Sequence, residues 1–192
     1  MEAFLVSTGL VTLAEIGDKT QLLSFVLAAR FRRPGAICVA ILLATLVNHG
    51  LAGVLANWLV TLFTPTVLKW TLCVVFAAMA VWILIPDKLD EDELETPRRL
   101  GVFGTTLVAF FLAEMGDKTQ FATVAMVAQY QAFGAVVLGS TLGMMLANVP
   151  AVFMGDRLAH RIPLRAVRIA AAIVFVGLAI AAAVSTPAAN WS

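Results

Sequence analysis

The sequence predicts an all-α integral membrane protein whose six transmembrane helices form two inverted three-helix repeats. Three observations carry that prediction. Of the 192 residues, 61% are hydrophobic and only 13% are charged, too little polar surface for a water-soluble domain of this length. The apolar residues fall into six runs, each near the roughly 20 residues that cross a hydrocarbon core. And AEIGDKTQ at 14–21 returns as AEMGDKTQ at 113–120, 99 positions further on.

The predicted spans are 4–29, 36–59, 66–86, 102–128, 133–155 and 165–185. The first opens with MEAFLVSTGLVTLAE, which has neither a basic leading region nor an A-x-A cleavage site, so it reads as a retained helix rather than a signal peptide. It stops at RFRRPG, and the second span stops at TPT around Pro65. The third runs into DKLDEDELETPRR, where Asp87, Asp90, Glu91, Asp92, Glu93 and Glu95 read as a solvated linker. The fourth span carries the second motif, and Pro150 is expected to kink the fifth. A polar loop with Asp156, Arg157, His160, Arg161, Pro163 and Arg165 precedes the sixth. The division is therefore 1–86 for the first repeat, 87–100 for an acidic linker and 101–192 for the second repeat.

A net charge of +1 gives no reason to expect a nucleic-acid partner. Cys38 and Cys73 lie in separate apolar runs without a CxxC pattern, and imply neither a disulfide nor a thiolate metal site. Basic residues are strongly one-sided. Arg30, Arg32, Arg33, Lys88, Arg98, Arg99, Arg157, Arg161, Arg165 and Arg168 fall on one side of the membrane, and only Lys69 on the other. The positive side is cytoplasmic, which places loops 30–35, 87–100 and 156–165 inside and both termini outside.

The duplication extends beyond the motif. At the same offset of 99, Ser24 meets Thr123, Phe76 meets Phe175 and Lys69 meets Arg168, while Asn48 and Asn148 correspond with one residue of slippage. Three spans per half is an odd number, so the halves face opposite ways across the bilayer. Secondary transporters are built like this, with substrate held near the midplane where the halves meet.

On a continuous helix, Glu15, Asp18 and Lys19 share one face, with Gln21 beside Asp18. Glu114, Asp117, Lys118 and Gln120 repeat the arrangement. Each charge near a span centre costs roughly 2.5–3.5 kcal/mol on insertion scales, and residues carrying that cost mark a functional site. Four carboxylates and two lysines sum to −2 when all are ionised (2 − 4), which one divalent cation would neutralise. Without a cation, desolvation and mutual repulsion favour protons in its place. Competition of a cation and protons for the same carboxylates is a physical basis for antiport. The donors are hard oxygens: the carboxylates, the Thr20 and Thr119 hydroxyls, and the amide oxygens of Gln21, Gln120, Asn48 and Asn148. They suit Mg²⁺, Ca²⁺ or Mn²⁺ rather than zinc or copper.

Gly17 and Gly116 sit between the two acids of each motif. They either admit a neighbouring helix or break the helix and release backbone carbonyls as ligands; close packing is the expectation. His49 has no counterpart in the second half, where Val149 stands, and reads as a packing residue. A purely structural role for the charges, as Glu15–Lys19 and Glu114–Lys118 ion pairs, accounts for one acid per lysine and no more.

The copies EIGDKTQ and EMGDKTQ resemble the E-x-G-D-K-[TS] signature of the Gdt-type cation transporter family, over nearly the whole chain. The resemblance implies Mn²⁺ or Ca²⁺ exchange against protons, with Glu15, Asp18, Glu114 and Asp117 as metal ligands; Lys19 and Lys118 beside them read as tuning the charge of the cluster. No cofactor is expected, only a divalent metal ion and protons as substrates, with a monomer or homodimer embedded in the lipid bilayer. Without the N-terminal extension of eukaryotic members, the chain resembles a bacterial inner-membrane version with periplasmic termini that exports Mn²⁺; Ca²⁺/H⁺ exchange is the alternative. An intramembrane aspartyl protease using Asp18 and Asp117 is the rival from another class. Adjacent Lys19 and Lys118 weigh against it by favouring both aspartates ionised, where a dyad keeps one protonated.

Overall fold

The computed structural model describes residues 1–86, 100–154 and 163–185. The acidic run at 87–95 and most of the linker and of the loop before the last span lie outside the described residues. Among the described residues every regular element is an α-helix: α1 (Glu2–Glu15), α2 (Lys19–Phe31), α3 (Pro34–Leu62), α4 (Pro65–Trp82), α5 (Gly101–Glu114), α6 (Lys118–Tyr130), α7 (Phe133–Met154) and α8 (Leu164–Val184). Four of them, α3, α4, α7 and α8, are long and apolar enough to cross a membrane singly.

The expected spans 4–29 and 102–128 are not continuous helices. Each is two short helices, α1 then α2 and α5 then α6, interrupted at the motif. Gly17 and Gly116 adopt φ of +82° and +76°, the left-handed region in which a side chain is strained and glycine is not. Close packing was expected of these glycines; a break in the helix is what both provide. A helix neighbour presses on only one of them, where a side chain at Gly17 would meet Leu164 while Gly116 has open space around it.

The remaining boundaries follow local chemistry. Pro34 and Pro65 open α3 and α4, where the missing N–H is not needed, and Thr64 caps α4 by accepting from the Val67 N–H. α2 and α6 end on left-handed residues, Arg32 and Gln131, whose N–H groups close the last turns. Pro150 is accommodated inside α7, which runs on to Met154. Buried hydroxyls bond back to their own helix, as Ser7 does to Ala3 O (2.7 Å) and Thr123 to Thr119 O (2.8 Å).

Packing joins the halves rather than separating them. α1 lies against α7, and its counterpart α5 lies against α3. Small residues permit both approaches: a side chain at Gly143 would come within 2.6 Å of Thr8 O, and Ala40 and Ala44 occupy the matching stretch of α3. α3 also packs on α7 and α4 on α8, so each helix of these pairs touches its own counterpart. Phe76 and Phe175, 99 positions apart, meet in the core with ring centroids 6.5 Å apart. The correspondence fails around the α4–α8 pair. α8 packs on α1 and α4 on α6, while the interchanged contacts are slight at most.

Candidate metal centre

The break in each half frees backbone groups, and the motif supplies their partners. Gln21 Oε1 accepts from Gly17 N–H at 2.9 Å, and Gln120 Oε1 from Gly116 N–H at 2.7 Å. Gln21 then donates to Ala147 O at 3.1 Å, tying the first break to α7. Asp18 and Asp117 stand at the N-caps of α2 and α6, where the helix dipole favours negative charge. The glutamates close α1 and α5 one turn earlier. Each acid therefore sits at a helix end aimed at the centre of the fold, not along one helical face.

Three carboxylates converge. Glu15, Glu114 and Asp117 each place an oxygen within 4.8 Å of the others, and all three are buried. That spacing lets a single cation bind all three. Thr119 donates to Glu114 Oε1 and lies 3.5 Å from Asp117 Oδ2, holding the second motif's acids together. Asn148 Nδ2 is 3.4 Å from Glu15 Oε1, and Ser24 orients that amide by donating to its oxygen at 2.9 Å. Among the described residues, buried Glu15 Oε2, Glu114 Oε2 and Thr20 Oγ1 have no hydrogen-bond partner, so acceptors remain at the centre that a cation would satisfy.

The other expected residues divide. Asp18 is buried but falls outside the trio, with Oδ1 4.0 Å from Lys118 Nζ of the opposite half. Lys118 also donates to Ile85 O at 2.9 Å, at the end of the α4 segment. Lys19 is half-buried. Asn48 is buried, but its amide donates to Phe111 O at 3.1 Å, so it braces α3 on α5 instead of matching Asn148. Met115, inside the second motif, is exposed.

His49 is the residue that sequence reasoning set aside. It is fully buried on α3, with Nε2 3.6 Å from Glu114 Oε1. Its counterpart is not Val149. At the offset of 99 it is Asn148, and Asn148 meets Glu15 as His49 meets Glu114. The signal lies in the strict offset and is obscured by aligning Asn48 with Asn148.

The two breaks differ in their surroundings. Leu164 covers Gly17, and Arg168 Nη2 reaches Gly17 O at 3.3 Å. Gly116 is exposed, and a cavity of about 190 Å³ between α3 and α6 runs up to Gln120.

The family described as "Divalent cation/proton antiporter GDT1" matches the chain twice, over residues 3–91 and 102–190. The chain belongs to the GDT1 family. A protein of Vibrio cholerae named "Putative manganese exporter" is 50% identical over 184 residues, covering 95% of this chain and 91% of that protein. GDT1-like proteins of Synechocystis (28% identity; 91% of this chain and 93% of the relative) and Arabidopsis thaliana (26%; 93% and 69%) are also similar. No solved structure matches. GDT1 is a family of cation/proton antiporters and not of enzymes, which sets the protease reading aside.

Proposed function

We propose that this member of the GDT1 family exports Mn²⁺ from the cytoplasm of a bacterium in exchange for protons. The substrate site is the one formed where its two E-x-G-D-K-T motifs meet. The observation that carries the reading is the convergence of Glu15 from one half with Glu114 and Asp117 from the other, buried and within 4.8 Å. These three bind the cation, Asp18 pairs with Lys118 at its edge, and Asn148, Thr119, Gln21 and Gln120 hold the acids and the breaks in place. Thr20 lends its buried hydroxyl. The 50% identity to a protein named for manganese export supports the choice of ion. The all-oxygen character of the trio is what favours the alternative, Ca²⁺/H⁺ exchange.

In this reading α1–α2 and α5–α6 each make one interrupted span, giving six in two inverted repeats at 1–86 and 101–192. The twofold match of the family at 3–91 and 102–190 supports that division. So do the meeting of Phe76 with Phe175 and the paired α1–α7 and α5–α3 contacts. Discontinuous helices at the midplane are the usual way such folds present carbonyls and helix ends to an ion. The basic loops orient the chain in the bacterial inner membrane with both termini periplasmic.

That orientation places the end of the α4 segment and the start of α8 on the cytoplasmic side of the site. Ile85 and Arg168 there bond Lys118 and Gly17 O, contacts that in this reading close the site toward the cytoplasm. Rocking of the α4–α8 pair would exchange these contacts for the interchanged ones, with Lys69 approaching Gly116.

Metal uptake into inside-out vesicles, with internal pH followed simultaneously, tests the proposal. Mn²⁺ entry is expected to raise internal pH, and both signals are expected to vanish in Glu15→Gln and Asp117→Asn. Mn²⁺ entry without proton movement, or insensitive to both substitutions, defeats it. Ca²⁺ uptake exceeding Mn²⁺ uptake would select the alternative ion.

A further inference from the structure

Histidine is expensive to bury without partners, and His49 is buried completely. A neutral imidazole carries one N–H donor and one acceptor nitrogen. Neither ring nitrogen of His49 has a hydrogen-bond partner among the described residues. A buried polar atom left unsatisfied has lost its water without a replacement partner, so such atoms are rare except at sites that use them. Glu114 Oε1 lies 3.6 Å from Nε2. That is too long for a hydrogen bond. It matches two donors of one coordination shell, which lie roughly 3–4 Å apart at metal–ligand distances near 2.0–2.5 Å; like Asp18, His49 stands outside the 4.8 Å trio, and it approaches the trio at Glu114.

The repeat sharpens the point. Asn148, at the corresponding position, is anchored by Ser24 and by Met144 O at 3.2 Å, and presents an amide N–H to Glu15. His49 has no such anchor and presents a ring nitrogen to Glu114. The two halves therefore offer chemically different neighbours to otherwise matching glutamates. An amide N–H cannot ligate a cation, whereas an imidazole nitrogen can. Nitrogen ligands are accepted by first-row transition metals and poorly by Ca²⁺, which takes oxygen shells.

We propose that His49 is a selectivity ligand: its Nε2 joins the cation site beside Glu114 and biases transport toward Mn²⁺ over Ca²⁺. The inference rests on the cation-site reading above.

Two measurements on the tag-free, full-length protein test it. Mn²⁺ bound to detergent-purified protein is expected to show electron spin-echo modulation from a directly coordinated imidazole ¹⁴N. The chain has only two histidines, His49 and His160, so the signal should persist in His160→Asn and vanish in His49→Asn. In inside-out vesicles, His49→Asn copies the residue of the other half, and its Mn²⁺-over-Ca²⁺ preference is expected to fall about tenfold while cation/proton exchange continues. A wild-type protein that binds and transports Mn²⁺ without a nitrogen coupling overturns the role of His49 and leaves the antiport reading intact. So does a His49→Asn variant with unchanged preference. Should His49→Asn fail to fold, the wild-type and His160→Asn spectra still decide the matter. A wild-type protein that neither binds nor moves a divalent cation defeats both readings.

Discussion

Replacing Glu15 with glutamine keeps the shape of the side chain and an oxygen for the Asn148 amide, but removes one of three charges held within 4.8 Å. Two unit charges at that distance repel by about 3.5 kcal/mol at an effective dielectric constant of about 20. Three such pairs amount to about 10 kcal/mol in an empty, fully ionised trio, comparable to the whole stability of a typical domain. Nearby lysines and bound protons offset part of this, so the figure is a ceiling. Glu15→Gln removes two of the three pairs. In metal-free detergent solution at pH 9 the variant is therefore expected to melt at a higher temperature than the wild type. Mn²⁺ at 100 times its Kd should stabilise the wild type by about 2.7 kcal/mol, a rise of roughly 5–10 °C in melting temperature, and the variant hardly at all. Tryptophan-fluorescence melting curves with and without MnCl₂ read both effects. An equal Mn²⁺-induced rise in the two proteins would refute the placement of Glu15 in the cation site. A metal-free wild type that outlasts the variant at pH 9 would refute the electrostatic reasoning.

Alanine at Gly116 meets open space but must adopt φ near +76°, so denaturant unfolding should show a loss of roughly 1–2 kcal/mol from backbone strain alone. Alanine at Gly17 adds the contact with Leu164 and should cost at least as much; wild-type stability in both variants would contradict the helix break. Arg168→Ala removes the bond to Gly17 O and should loosen the first break. In a background lacking Cys38 and Cys73, it is expected to speed maleimide labelling of Ile16→Cys several-fold while leaving Met115→Cys unchanged. Equal rates with and without Arg168 would dismiss the covering role of α8. Asp117→Asn keeps the N-cap and the fold but removes a charge from the trio, so vesicle uptake of Mn²⁺ should fall at least tenfold without any lowering of the melting temperature. A melting temperature lowered together with transport would instead mark Asp117 as a structural cap.

Much of the helical layout is legible in the order of residues alone. Long apolar runs bounded by Pro34, Pro65 and Pro163 place α3, α4, α7 and α8 to within a few residues, because hydropathy and proline geometry act locally. The motif is legible too, since paired acids inside an apolar run are conspicuous for their cost, and its match to the GDT1 signature leads to the family. The helix break is not. A glycine between two acids looks the same whether it admits a neighbour or turns the backbone, and only φ separates the cases. Nor does the sequence show that Asn48 braces Phe111 while His49 approaches Glu114. One residue of register on α3 decides this, and that register is set by how α3 packs on α5.

By itself, the sequence determined the membrane-protein composition, the duplication and the hard-oxygen chemistry of the acids. These follow from the solvation cost of each residue, which can be summed along the chain without knowing its path. The tertiary structure decided that Glu15, Glu114 and Asp117 share one point while Asp18 faces Lys118, and that a histidine stands where the other half has Asn148. Residues 99 positions apart come within ångströms only through helix packing and two left-handed glycines. Those geometric choices are made by contacts between segments, and no local property of either segment contains them.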